Sequence, residues 1–174
     1  PHRPRGLRLT PLPVALGGSG AVAAWRLERD KFLPSWRRAE GAFLVGGRWS
    51  SPGRRVIYSA LDPSTAILEV AVHKGFAVLD ALPHSLLQLV ITDPVAIHVL
   101  HPADVPDPAW LLPGSVGAAQ QRFGDALLDA HPMVALPSVV SRHAWNLLID
   151  AAVAAPYTLQ ALEPFSLDPR LHPK

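Results

Sequence analysis

The stretch RVIYSALDPSTAILEVAVHKG, residues 55–75, decides the fold class. Val56 and Tyr58 alternate with Ile57 and Ser59, the period of a short strand over 55–60, with Val56 and Tyr58 on one face. Asp62-Pro63 then opens a helix. The aspartate can accept from the first free N–H groups, and proline occupies the position where a missing N–H costs nothing. The helix is predicted to run to about Lys74, and Gly75 stops it.

Outward from this unit, the chain mixes strands and helices without regular alternation, which argues for α+β rather than α/β. A first strand is expected over 21–27, and a Gly-rich loop over 41–53. Residues 86–92 and 95–100 read as strands separated by Asp93-Pro94, and a Pro-rich loop follows over 101–115. Helical spacing returns over 117–130, then an apolar extended segment over 132–140, a short helix over 145–152 and a final strand over 159–167. The expected organisation is a loose leader over 1–20, one domain over 21–171 and a tail over 172–174.

Composition supports a packed core: of 174 residues, 49% are hydrophobic and 17% charged. There is no cysteine, so disulfide and thiolate chemistry are excluded, which suits a reducing cytosol and a cytoplasmic protein. Nineteen prolines disfavour a helical bundle. The net charge of +2 hides an asymmetry. Eleven Lys and Arg stand against Glu28, Asp30 and Glu40 in residues 1–60, a net of +8, which leaves −6 for the remainder. That gradient suits a phosphate-bearing ligand or an acidic partner, with a solvated basic surface as the alternative. Residues 5–24 place arginines before apolar residues, but Pro11, Pro13, Gly17, Gly18 and Gly20 break the run, so a secretion signal is not expected. No apolar run has membrane-spanning length.

Glu69 is the most informative position, because every other residue from Ala66 to Val72 is apolar. A helix apolar on nearly every side is expected to be buried, and a carboxylate within it needs a partner. That partner is either a nearby arginine or a substrate, since buried carboxylates often mark sites. Arg48 follows Gly46-Gly47, where the backbone can approach a ligand closely, and a guanidinium suits bidentate phosphate binding. Tyr58 points inward with Val56. Ser138 lies in the apolar run 133–140 and needs a hydrogen-bond partner; no G-x-S-x-G elbow surrounds it. Arg26 sits inside the first strand. Glu69 with His73, and His98 with His101, lack a third ligand at metal-site spacing, so no metal is expected. Gly17–Gly20 has no dinucleotide fingerprint spacing, and no Walker motif is present. Trp25, Trp36 and Trp49 among arginines could stack on nucleic acid, or belong to the core.

The segments WRLER (25–29), GGRW (46–49), VIYSA (56–60), ILEVAVH (67–73), LPSVV (136–140) and DPRL (168–171) occur in the order of the RES domain, which the chain resembles over about residues 21–171. The resemblance implies an ADP-ribosyltransferase-like mixed β core flanked by helices, with NAD⁺ as substrate. It implies the toxin of a RES–Xre-type bacterial toxin–antitoxin pair, silenced by an Xre-type antitoxin that occupies the active site. By position it makes Glu69, Arg48, Tyr58 and Ser138 the active-site set and Arg26 a further NAD⁺ contact. The expected reaction cleaves the nicotinamide–ribose bond and passes ADP-ribose to a protein acceptor, water or phosphate, with no membrane and no direct nucleic acid involved. A noncatalytic basic module for nucleic acid, or a degenerate protein-interaction domain, is the alternative. Two departures stand out. Ser50 replaces the family's Asn after GGRW, and Ser141-Arg142-His143 replaces a Pro–acid segment, while Asn146 keeps the next polar position.

Overall fold

The computed structural model describes residues 21–153 and 156–171. Its frame is a seven-stranded sheet: β1 (Ala23–Arg29), β2 (Val56–Ala60), β3 (His84–Ile91), β4 (Ile97–Val99), β5 (Met133–Pro137), β6 (Trp145–Asp150) and β7 (Tyr157–Phe165). Their order across the sheet is β4-β5-β6-β2-β1-β3-β7. All neighbours run antiparallel except β4 and β5. Helices α1 (Glu40–Val45), α2 (Pro63–Lys74), α3 (Phe76–Ala81) and α4 (Ala118–Ala130) accompany the sheet. The α+β expectation, a mixed β core with helices around it, is what the chain adopts. The proposed leader and tail lie outside the described residues.

Alternation along the strands divides the core in two. Ala24, Ile57, Leu87, Leu89, Leu147 and Ile149 share one cluster, closed by Trp36 from the 3-10 segment Asp30–Arg38. The intervening residues face the other way. Val56, Val134, Leu136 and Leu148 pack with Trp49, Trp25 and Ala60 pack with Ala66 of α2, and Leu27 packs with Ala71. Trp25, Trp36 and Trp49 are all buried, which assigns these rings to the core rather than to base stacking.

The strand–helix unit forms much as its residues dictate. Asp62 accepts from the Thr65 N–H at 2.8 Å, and Gly75 ends α2 at φ +82°. Other expectations need correction. Residues 145–152 hold no helix: Trp145–Asp150 is a strand paired on both sides, by β2 and β5. Its apolar run fills a strand buried on both faces, which lacks the alternation that would distinguish it from a helix. The Gly-rich loop begins later than expected, because α1 takes Glu40–Val45. Strand β4 keeps only Ile97–Val99, since Pro94–Ala96 forms a 3-10 turn. Helix α3 carries no strong cap of its own and escapes the sequence reading. Nor is α2 buried all round: Val72 is 61% exposed, and only Thr65, Ala66 and Ala71 are buried. The helix lies on one face of the sheet. Among the described residues, no helix is long and apolar enough to cross a membrane.

Candidate functional site

The sheet face beneath α2 presents one row of residues from four strands: Trp25 of β1, Ala60 of β2, Asn146 of β6 and Leu136 of β5. Helix α2 crosses over this row and turns Glu69 down onto it. Asn146 Nδ2 donates to Glu69 Oε1 at 2.6 Å, and Ser138 Oγ donates to the same oxygen at 3.1 Å. The Ser141 N–H in turn donates to Ser138 Oγ at 3.1 Å, so the serine hydroxyl is engaged on both sides. Among the described residues, no cation pairs with Glu69. The salt bridge to an arginine, open on sequence grounds, is therefore not the device used. Ser138 finds the partner its burial demands, and that partner is the helix carboxylate.

Tyr58 stands two residues along β2 from Ala60 and pairs with Leu148, so it is a same-face diagonal neighbour of Asn146. Its hydroxyl accepts from the Trp49 N–H at 3.1 Å and shares a hydrogen bond with Ser50 Oγ at 2.9 Å. Burial pushes the phenol up to about 12, against the lowering pull of its bonds to Ser50 and Trp49. Ser50, which stands where the family has Asn, is thus a buried partner of the tyrosine hydroxyl.

The Gly46-Gly47 pair serves this contact. A Cβ on Gly47 would lie inside the Tyr58 phenol, 2.5 Å from Cζ. The close approach foreseen for a ligand is made to Tyr58. Helix α4 backs the loop: Gln121 Nε2 donates to Gly47 O at 2.9 Å, Asp125 accepts from the Ser51 N–H at 3.1 Å, and Gly124 packs against the Trp49 carbonyl. Arg48 projects from the clamped loop, half-buried, and Nη2 donates to Gly114 O at 3.1 Å.

Arg26 is not brought to this cluster. It pairs with Leu87 on the far side of β1 from Trp25 and Leu27. Its guanidinium is consumed locally: Nε and Nη2 bind Glu28 at 2.9 and 2.6 Å, and Nη1 binds the Tyr58 carbonyl at 2.8 Å. It fills the opening between β1 and β2, whose only register pair is Trp25–Ala60. Asn146 is the residue whose part sequence reasoning missed. Its signals were a polar residue at the start of an apolar run and the polar position that the family resemblance keeps there, neither of which named Glu69 as its partner.

Among the described residues, no group of three His, Asp or Glu could hold a metal. His98 and His131 stack face to face with their ring centroids 4.1 Å apart. A cavity lined by Leu79, Asp80, Leu82, Pro83, Phe165 and Leu167 lies at the α3–β3 turn and includes none of the residues above.

A 158-residue match at 31% identity links the chain to a protein named Toxin Res from Yersinia enterocolitica, covering 84% of this chain and 97% of that one. A Toxin Res from Photorhabdus laumondii is 47% identical over 51 residues, 29% of this chain and a third (33%) of that protein's length. A protein named Prs ADP-ribosylating toxin, from Sphingobium, is 29% identical over 136 residues, covering 74% of this chain and 81% of its own. In fold, the chain is similar to a solved chain of the Mycobacterium tuberculosis MbcT–MbcA toxin–antitoxin complex, with a TM-score of 0.65 at 18% identity over 84% of this chain and 85% of that one. The family profile described as the RES domain matches residues 23–168. By that match, which spans nearly all of the described residues, the chain belongs to the RES domain family.

Proposed function

We propose that this chain is the toxin of a toxin–antitoxin pair and that it consumes NAD⁺, breaking the bond between nicotinamide and ribose. The observation that carries the reading is the state of Glu69: a carboxylate on a sheltered sheet face, held by two neutral donors and matched by no cation among the described residues. Loss of nicotinamide leaves positive charge on the ribose ring carbon and oxygen, as in glycoside cleavage. A fixed carboxylate without a counter-ion stabilises that charge as it develops, and most of all in the transition state. The bonding electrons leave with nicotinamide, which departs neutral. ADP-ribose then passes to a protein side chain, water or phosphate.

Arg48 supplies the clamp for the pyrophosphate. Its single hydrogen bond among the described residues goes to a loop carbonyl, which leaves the rest of the fork for phosphate oxygens. Arg26 would have to give up Glu28 and the Tyr58 carbonyl to do the same, so the clamp is assigned to Arg48 alone. The Tyr58 ring packs on the nicotinamide end, and Ser138 acts through Glu69. The relatives named as toxins, one of them ADP-ribosylating, support this reading, as does the fold shared with a chain of a toxin–antitoxin complex. The partner is an antitoxin of Xre type that covers the pocket.

The test is incubation of the purified chain with NAD⁺ labelled in the nicotinamide and adenine halves, with and without phosphate and with cell extract as acceptor source. Nicotinamide release is expected in at least one arm, and the fate of the adenine label names the acceptor. Intact NAD⁺ in all arms overturns the reading.

A further inference from the structure

We infer that Asn146 is a positioning residue of this reaction: with Ser138 it pins one oxygen of Glu69, Oε1, and leaves Oε2 as the oxygen that meets the ribose. The inference rests on the NAD⁺ reading above, and the geometry that carries it is independent of any ligand.

Two donors converge on Oε1, Asn146 Nδ2 at 2.6 Å and Ser138 Oγ at 3.1 Å, while among the described residues none reaches Oε2. The two donors reach Oε1 from different segments: Asn146 lies in β6, Ser138 directly follows the end of β5, and Ser138 is itself oriented by the Ser141 N–H. A side chain with several rotatable bonds is thereby held from two directions. Such preorganisation is what electrostatic stabilisation requires, because the charge need not reorganise during reaction.

Asn146 is also a poor choice for folding alone. Its row neighbours are Ala60 and Leu136, and its Oδ1 is buried without a partner among the described residues. An unsatisfied buried carbonyl costs stability, and an apolar residue of similar size would avoid that cost. Half of the amide is thus unsatisfied while the other half holds Glu69. The balance identifies a residue kept for the carboxylate rather than for the core.

The experiment compares wild type, Asn146→Leu, Glu69→Gln and the double variant in kcat, KM for NAD⁺ and thermal midpoint. Asn146→Leu is expected to fold and to lose kcat by about tenfold or more, the scale set by small misplacements of reacting groups. KM should change by less than about threefold, since the pyrophosphate grip is untouched. In the Glu69→Gln background the same substitution should alter the residual rate by less than about twofold, because two residues acting through one group are not additive.

Asn146→Asp keeps the shape and guards against a folding failure of the leucine variant. That variant replaces the amide donor to Oε1 by a carboxylate with no hydrogen to give, so kcat should fall at least as far as in Asn146→Leu, with the thermal midpoint showing that the chain is folded. Wild-type kcat in a folded Asn146→Leu protein, or an equal loss in the Glu69→Gln background, overturns the inference and leaves the NAD⁺ reading standing. A wild-type chain that turns over no NAD⁺ overturns both.

Discussion

Glu69 and Arg48 are separated in sequence by a strand and half a helix, and the two are expected to fail in different ways. Glu69→Gln preserves size and keeps an acceptor for Ser138 and Asn146, so the fold should survive. Turnover should fall by about 10²-fold or more, the scale seen when a preorganised electrostatic group is removed, while NAD⁺ affinity changes less. Arg48→Lys keeps charge but loses the planar fork, so its larger effect should fall on KM. Steady-state kinetics of the two proteins separate these outcomes, and wild-type turnover in folded Glu69→Gln would refute the assignment. Tyr58 makes a different prediction. Its folded value, about 12, lies above the ordinary 10, so burial of the neutral phenol contributes stability that is complete below about pH 10 and is lost as pH rises toward 12. In a Tyr157→Phe background, tyrosinate absorbance then reports Tyr58 alone. A folded-state midpoint near 10 would show that the hydroxyl is not buried as described.

Among the elements, α4 has no reacting group and still governs the site, because the loop 47–54 rests on it. Gly124 is mid-helix, where alanine is ordinarily better by about 1 kcal/mol. A Cβ there would lie 2.7 Å from the Trp49 carbonyl carbon, so the contact should reverse the sign and cost about 1–3 kcal/mol, as overpacked sites do. Thermal melting of Gly124→Ala decides between helix propensity and contact: a raised midpoint would mean that α4 does not press on the loop. Elements with local punctuation were legible in the sequence. Asp62, Pro63 and Gly75 bound α2, and Tyr58 lies on the face that period two assigns it. The strand Trp145–Asp150 was not legible, because Leu147 and Ile149 fill one cluster and Leu148 the other, which erases the alternation. Glu69 stood out as a lone charge in an apolar helix, and Ser138 as a polar residue in an apolar run. Asn146 stood out only as the polar position the resemblance keeps; its role did not, because its partner lies 77 residues away and only the strand order brings them together.

At the scale of the whole molecule, the surface around Arg48 sets a cation within a rim of exposed apolar side chains. Leu44 and Val45 precede the Gly46-Gly47 turn, Leu112 and Val116 flank the Gly114 that Arg48 binds, and all four are exposed. A partner carrying carboxylates within an apolar segment would match this rim and compete with pyrophosphate for Arg48. Expression of the chain alone is therefore expected to arrest growth, and co-expression of the antitoxin or Glu69→Gln to relieve the arrest. A competition titration should show antitoxin and NAD⁺ excluding each other. A complex that binds and turns over NAD⁺ as fast as the free chain would refute the plug.

The single register pair between β1 and β2 has a consequence for how the molecule breathes. Strands β4, β5, β6 and β2 form one ladder-bonded plate and β1, β3 and β7 another, joined at Trp25–Ala60 and bridged beyond it by the Arg26 side chain. Backbone amides protected by a continuous ladder open only with the plate, whereas those along a seam open locally at far lower cost. Amide hydrogens of β1 that face β2 should exchange with deuterium well before those that face β3, although both belong to the same strand. The weakest line of the sheet would then run through its middle rather than along its rim, past the row on which Glu69 sits.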